Sequence, residues 1–555
     1  MENDGMRRSG LAISGGVAVL MVSTVAVAAP PDLAQRAEAY LAKAYPADGP
    51  GAAAIITENG RTVYVGGRGL ADVQGNKTIA PDTVFRLGSI TKQFTATAVL
   101  KLAEQGKLSL DDPLSEYSLG YPAPGGTATV RQLLNHTSGI MDYTSLPGWM
   151  IEANTDKAYT TEQLVAVFKD LPSPSKPGET WQYDNSGYVL LGAVIEKVTG
   201  KPWDTEVADL VTGPLHLRTI RSGVAEASIP MMAKGYTDKD GKVVPALKIN
   251  MTVPGGAGAL VGTVGNLADW AYALHNGRVL KPANYAAMIA PTKTADGKTA
   301  PYGFGLQSGD VRGRPEIGHG GGIFGFSTDS LYLPAEKVFV AVFANSDAPQ
   351  ISPSLVARRL AAMALGDPYP EFIAQPVDLK AIEPLLGVYA FEDVERVFFA
   401  RDGKLYTQRA GGGEVEAFAA GGNKYFYGPD SLTWFEVSKD SSGTPRIAFY
   451  AEGANKPSMA LRKGPPPKAV AAFVVPAAVL DSYAGRYDSA AGAFVIKHDG
   501  DGLTVKLAAQ PTLPLKALSL TEFEITQVGA KVRFNGSEGK IMSLTLFQGG
   551  QELEA

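Results

Sequence analysis

Phe85-Arg-Leu-Gly-Ser-Ile-Thr-Lys-Gln-Phe94 is the stretch on which the reading of this chain turns. Ser89 and Lys92 stand three residues apart, a spacing that puts both side chains on one face of a helix and within touching distance. A serine hydroxyl is a poor nucleophile at neutral pH and needs a neighbouring base. A lysine amine serves as that base only where burial or nearby positive charge lowers its pKa. The residues that follow, Phe94 to Ala103, read as a buried helix. Ser89 therefore falls at the N-terminal end of that helix, where free N–H groups and the dipole favour developing negative charge. S-x-x-K also occurs by chance on solvated helices, so the stretch gains weight only from what lies further along.

Two further stretches supply it. In Pro177-Gly-Glu-Thr-Trp-Gln-Tyr-Asp-Asn-Ser-Gly187 a Pro-Gly turn and a short extended piece lead into a strongly apolar helix. Tyr183 and Asn185, two apart, project to the same side of an extended segment. A phenol shuttles a proton once an adjacent ammonium lowers its pKa, and an amide orients both the lysine and a substrate carbonyl. In Glu316-Ile-Gly-His-Gly-Gly-Gly-Ile-Phe-Gly-Phe-Ser327, His319, Gly320 and Gly321 fall at a strand edge, where glycines let a substrate backbone come close. His319 offers a donor or a positive charge beside the serine. The N–H groups of Ser89 and Gly322 are candidates for an oxyanion hole.

The chain has 555 residues, 45% hydrophobic and 19% charged, which is globular material for about two to four domains. A net charge of -5 without a basic run argues against a nucleic-acid partner. With no cysteine, disulfides, thiol catalysis and cysteine-ligated metal are excluded. Arg7 and Arg8 precede an apolar run from Leu11 to Ala29 that ends in Ala26-Val27-Ala28. This is the pattern of a secretory signal over residues 1–28, removed on export to the periplasm or the medium. Ser14, Gly15, Gly16, Ser23 and Thr24 weaken the run as a permanent anchor, so no stable membrane span is expected after processing.

Other segments predict the frame. Asp32 caps a helix running to Tyr45, and Asn59-Gly60 joins two strands within Gly51–Val65. Leu133–Gly139 ends a short helix with a glycine stop, where His136 braces the turn. Val253–Thr263 is glycine-rich but matches no phosphate-binding fingerprint and reads as a close-packed turn. Thr263 caps the helix through Trp270 and Leu274, with His275 structural at its end. After Asp367-Pro-Tyr-Pro370 short alternating runs between glycines suggest small β-barrels. A weak internal repeat pairs Leu386–Tyr389 with Ala484–Tyr487 and Arg446–Tyr450 with Met542–Leu546, across the stiff spacer Gly464–Lys468. His498, beside Asp499-Gly500, reads as a solvated turn residue.

Taken together, Ser89-x-x-Lys92, Tyr183-x-Asn185 and His319-x-Gly321, with the phrases Phe85–Lys92, His136-Thr-Ser-Gly139 and Tyr183–Gly187, resemble the serine beta-lactamase and penicillin-binding-protein-like superfamily. The branch they resemble most is that of class C beta-lactamases and S12 serine peptidases, over roughly residues 32 to 370. The resemblance implies an α/β (α+β) catalytic domain over 32–372, an antiparallel sheet of five or more strands flanked by a helical subdomain, with the serine between them. It implies Ser89 as the acylated nucleophile, Lys92 and Tyr183 as the general-base pair, Asn185 as their organiser and His319 as the residue of the third motif. How Lys92 and Tyr183 share the proton is a coupled titration left open by sequence. Beta-lactamases and D-alanyl carboxypeptidases usually carry Lys-Thr/Ser-Gly where this chain has His319, and histidine is shorter and often neutral at pH 7. The likeness therefore leans towards D-aminopeptidases and related esterases or amidases, and efficient beta-lactam hydrolysis is not expected. Residues 376–465 and 470–555 resemble the two lipocalin-like barrels of such enzymes, and a loop at Ala508–Pro514 is expected to reach the Ser89 cleft.

The function these readings imply is an exported serine hydrolase, a peptidase or amidase on small peptides that include D-residues. A carboxylesterase, or a slow-turnover penicillin-binding sensor, is the alternative. The substrate is a small peptide, amide or ester; no metal or organic cofactor is required, and an oligomer is left open.

Overall fold

The computed structural model describes residues 32–555 apart from 393, 411, 468–472, 490–491, 508–511, 538–539 and 549–550. The expected signal segment 1–28 lies outside the described residues, as does part of the loop Ala508–Pro514.

A six-stranded antiparallel sheet carries the N-terminal part, in the order Gln307–Val311, Arg314–Ile323, Phe326–Leu333, Val338–Ala344, Ala52–Glu58, Arg61–Arg68. Its central strand shows why both faces are covered. Val338, Val340, Val342 and Ala344 point into one core and Phe339, Ala341 and Phe343 into another, the period of two that a pleated strand imposes. The first core is closed by the helices Leu33–Ala44 and Pro353–Ala364. The second is the larger, and it holds the helix Thr91–Glu104, the helix Asn185–Thr199 and the helix Val264–His275. From Thr91 through Leu100 every residue of the first of these is buried, so it is an interior helix with apolar packing all round.

Local chemistry sets the element ends. Asp32 Oδ1 accepts from the Gln35 N–H at 2.8 Å, and Thr263 caps the helix that begins at Val264. Asn59 and Gly60 both take positive φ, 52° and 76°, as a two-residue hairpin of the primed type requires. His275 ends its helix stacked on Tyr332 at 4.2 Å and hydrogen-bonded to Tyr285. Two local expectations need correction. The short helix Val130–Leu134 stops earlier than the glycine: His136 itself takes φ 62°, ahead of Gly139. The glycine-rich segment is a helical turn, Gly255–Gly258, followed by the strand Leu260–Gly262, and not a simple turn.

The C-terminal part is a closed eight-stranded barrel from Gly387–Ala390 to Ser458–Gly464, then an eight-stranded antiparallel meander from Gly485–Ser489 to Gln551–Glu554. Among the described residues no pairing joins the first and last strands of the meander. The two repeat element for element. Each opens with a short helix, Leu379–Ile382 or Ala477–Tyr483, and each first strand carries a tyrosine whose hydroxyl donates to the carbonyl four residues back: Tyr389 to Leu385 at 2.6 Å and Tyr487 to Tyr483 at 3.0 Å. Arg446–Tyr450 and Met542–Leu546 both lie on the seventh strand of their set. His498 is not in a solvated turn. It lies on the strand Gly492–Asp499 and bonds to Asp481 at 2.7 Å. The first barrel meets the N-terminal part at Arg312, whose guanidinium donates to the Gly453 carbonyl at 2.9 Å and to Asp367 at 2.9 Å.

Candidate active site

Three elements converge on Ser89. The 3-10 turn Gly88–Ile90 presents the serine and runs straight into the helix Thr91–Glu104, which carries Lys92 one turn on. Gly88 takes φ 53°, and a Cβ there would sit 3.0 Å from Gly322 N. Across from it runs Arg314–Ile323. Its outer neighbour pairs only with residues 314–318, which leaves the edge from His319 to Ile323 open towards the serine turn. Gly321 is required there: a Cβ would land 2.1 Å from the Leu87 carbonyl oxygen. Thr328 Oγ1 donates to that same carbonyl at 3.0 Å and ties the turn to the sheet.

Lys92 is fully buried, and its Nζ lies 3.1 Å from Ser89 Oγ, 2.8 Å from Asn185 Oδ1 and 3.0 Å from the Ala257 carbonyl. Burial pulls its pKa from 10.5 down to about 7, against the opposing pull of Asp142 and Asp184. The neutral amine then fits its surroundings. Two of the three neighbours are pure acceptors, so they take its two hydrogens and leave the lone pair for the Ser89 hydroxyl.

Asn185 is the first residue of the helix Asn185–Thr199 and is oriented by its own partners. Its Nδ2 donates to Thr144 Oγ1 at 3.1 Å, and Thr144 donates to Asp142 Oδ2 at 2.6 Å. Asp142 also accepts the Asn185 N–H at 3.1 Å. Asp184 caps the helix, with burial raising its pKa to about 6.

Tyr183 departs from expectation. Its ring lies under Lys92, 4.8 Å from Nζ, but burial pushes the phenol pKa up, and only the Ser89 hydroxyl acts to lower it. The expected lowering by an ammonium is absent because that neighbour titrates near neutrality. The Ser89 hydroxyl is the polar neighbour of Tyr183 Oη, but no hydrogen bond of full geometry forms between them.

His319 also departs from expectation. It is buried, its Nε2 pairs with Tyr302 Oη at 3.0 Å, and burial together with the Lys92 charge lowers its pKa to about 3. It is a neutral imidazole and supplies no positive charge. Behind it Tyr302, Tyr183 and His136 pack ring against ring, with His136 4.3 Å from Tyr183 and 4.6 Å from Tyr302. His136 Nδ1 accepts the Asp184 N–H at 3.2 Å and braces the turn.

Above Ser89 lies a cavity of about 500 Å³, lined by Ser89, Tyr183, Asn185 and Gly322 among others, with Met150, Ile249 and Phe324 as apolar wall. Gly320 and Gly321 do not line it; Gly320 faces Asp329 across the sheet. No barrel residue is among its lining residues. The structure thus brings Ser89, Lys92, Tyr183 and Asn185 to one point. Sequence reasoning missed Asp142, Thr144, Tyr302 and the Ala257 carbonyl. Asp142-Tyr-Thr144 carries the signal of a helical cap, but nothing in its spacing connects it to Asn185.

The family model described as beta-lactamase matches residues 39–364, more than half of the chain. The chain belongs to the beta-lactamase family. It is a serine hydrolase of that family, and it is similar to proteins of two kinds. A penicillin-binding protein of Bacillus subtilis (strain 168) is 27% identical over 429 residues, spanning 72% of this chain and 93% of that protein. A D-aminopeptidase of Gluconobacter oxydans (strain 621H) is 27% identical over 326 residues, 58% of this chain and 60% of that enzyme. Among solved structures, the octameric penicillin-binding protein homologue from Pyrococcus abyssi superimposes with a TM-score of 0.55 at 25% identity, covering 77% of this chain and 99% of its own. The D-amino acid amidase from Ochrobactrum anthropi SV3, complexed with L-phenylalanine amide, gives 0.53 at 26% identity, covering 60% and 99%.

Proposed function

We propose that this protein is an exported amidase or peptidase that cleaves small peptides and amides, those with D-residues included, through an acyl-enzyme on Ser89. The observation that carries the reading is the lysine: an amine held near neutrality by burial, with Nζ within hydrogen-bond reach of Ser89 Oγ, Asn185 Oδ1 and the Ala257 carbonyl, so that its neutral form donates to the two pure acceptors and has a lone pair to take the Ser89 proton. Such a group accepts the serine proton at neutral pH without a histidine.

The steps follow from the geometry. Ser89 Oγ attacks the substrate carbonyl as its proton passes to Lys92. The oxyanion faces the N–H groups of Ser89 and Gly322, at the positive end of the serine helix. Lys92 returns the proton, through the Tyr183 phenol, to the leaving nitrogen, and the C–N bond breaks. Tyr183, whose pKa is raised, acts as a proton donor and relay and not as the resting base. Water then attacks the ester on Ser89 as Lys92 takes its proton; Lys92 returns that proton to Ser89 Oγ as the acyl C–O bond breaks, and the acid leaves. Asn185 and, behind it, Thr144 and Asp142 hold the amine in place. His319 keeps the open strand edge in position through Tyr302.

The D-aminopeptidase and D-amino acid amidase relatives support amide substrates. Export is supported by Arg7, Arg8 and the apolar run to Ala29. The test is a panel on purified protein: D- and L-aminoacyl p-nitroanilides, p-nitrophenyl esters and nitrocefin. Multiple turnovers on an anilide support the proposal. Turnover of esters alone replaces it with an esterase, and a single slow acylation without release replaces it with a penicillin-binding sensor.

A further inference from the structure

We propose that Arg86 and Asp347 are positioning residues that grip one peptide unit, between Phe324 and Gly325, from its two ends and thereby hold the Gly322 N–H over Ser89. The inference rests on the hydrolase reading above and adds the groups that keep its oxyanion donor in place.

The gripped peptide lies in the two-residue loop that joins the strands Arg314–Ile323 and Phe326–Leu333. Such loops close best with positive φ at both residues or at the first, because those turns match the twist of the strands. The loops Asn59-Gly60, Asp240-Gly241, Arg312-Gly313 and Asp402-Gly403 take positive φ at both positions. In Phe324-Gly325 only the second residue does, Gly325 at 79°. This turn runs against the strand twist, so the hairpin that carries the oxyanion donor does not fix its own tip.

Outside partners fix it instead. The Phe324 carbonyl accepts from Arg86 Nη1 at 3.1 Å, and the Gly325 N–H donates to Asp347 Oδ2 at 2.7 Å. Both bonds involve a charged group, which makes them the stronger kind, and the signs suit the peptide dipole: cation on the oxygen, carboxylate on the N–H. Each grip is itself anchored. Arg86 stands three residues before Ser89, its Nε donates to Glu226 Oε2 at 2.9 Å, and its guanidinium lies over the Phe326 ring. The Asp347 N–H donates to the Tyr236 carbonyl at 3.1 Å. Two residues before it, buried Asn345 ties Gly51, Leu70 and Lys234 together. Gly322 lies two residues before the gripped peptide, on the edge open towards the serine turn, and a Cβ on Gly88 would sit 3.0 Å from its nitrogen. Movement of the tip is therefore felt where the serine turn and the oxyanion donor meet.

The experiment measures kcat and KM on an aminoacyl p-nitroanilide, and the rate of fluorophosphonate labelling, in wild type, Asp347→Ala, Asp347→Asn, Arg86→Met and the double variant of Asp347→Ala with Arg86→Met. Asp347 is exposed, so its variants keep the fold, which circular dichroism checks. Asp347→Ala is expected to lower kcat and the labelling rate about tenfold or more at nearly constant KM, with the limb near pH 7 in place. Asp347→Asn keeps an acceptor for the Gly325 N–H and recovers most of that loss. The double variant falls by less than the product of the two single losses, because both side chains act on one peptide. Wild-type kcat in Asp347→Ala, a loss carried by KM alone, or a double variant that falls by the full product overturns the inference and leaves the hydrolase reading standing. Neither turnover nor labelling of wild type overturns both.

Discussion

Replacing Asn185 by aspartate puts a carboxylate where an amide oxygen now lies 2.8 Å from Lys92 Nζ. The two side chains have nearly the same shape, so the change is mainly one of charge. At that distance and an effective dielectric of about 20, the attraction is about 6 kcal/mol, or about 4 pKa units. Desolvation of the new carboxylate takes back part of this, so a net rise of at least about 2 units in the lysine pKa is expected. In wild type the amine titrates at about 7, so roughly half is neutral at pH 7. With the pKa near 9, about 1% is neutral, and the acylation rate at pH 7 falls roughly 50-fold. The assay is a pH profile of kcat/KM, or of single-turnover labelling by a fluorophosphonate. Wild type rises through a limb near pH 7, while Asn185→Asp rises through a limb near 9 or above and recovers rate on the alkaline side. Asn185→Ala, which removes the acceptor without adding charge, loses rate with no alkaline displacement. A limb at the same pH in Asn185→Asp and wild type refutes the assignment of Lys92 as the base.

Other consequences follow from the same geometry. Tyr183→Phe removes the proton relay but leaves the amine, so kcat falls roughly 10²-fold or more while the limb near pH 7 stays in place; a profile that loses this limb contradicts the division of roles. Lys92 is destabilising in the fold. Its folded pKa of about 7 lies below the unfolded 10.5, so the unfolded chain binds more protons between those values and stability rises with pH across that window. Lys92→Met is therefore expected to gain on the order of 1–3 kcal/mol at pH 7, after the lost hydrogen bonds, and progressively less towards pH 10. Thermal melts at the two pH values check this, and a variant less stable than wild type at pH 7 goes against it. Gly321→Ala drives a Cβ to within 2.1 Å of the Leu87 carbonyl oxygen. It should displace the serine turn and reduce kcat/KM at least about tenfold with the fold retained by circular dichroism; wild-type activity in this variant denies the close approach a role.

Much of this was legible in the chain because the signals were local. Ser89 and Lys92 share one helical turn, Asn59-Gly60 fixes its own hairpin, and the barrel repeat shows in Gly387-Val-Tyr389 and Gly485-Arg-Tyr487, whose tyrosines make the same backbone contact. What escaped depends on packing between distant segments. Nothing in His319-Gly-Gly321 tells that Tyr302 covers Nε2 or that burial leaves the ring neutral. The raised pKa of Tyr183 follows from the same burial. The Ala257 carbonyl belongs to a glycine-rich segment with no side-chain signal, and only the fold reveals it as a partner of Lys92. Asp142 and Thr144 act through Asn185, a residue far along the chain.

The central claim is that acyl transfer passes through Ser89. Its most direct test is mass spectrometry of protein quenched during turnover of an aminoacyl ester or anilide. A single acyl adduct on the peptide that contains Ser89, discharged by hydroxylamine and missing from Ser89→Ala, is the expected result. Hydrolysis that persists in Ser89→Ala, or an adduct on any other residue, contradicts it.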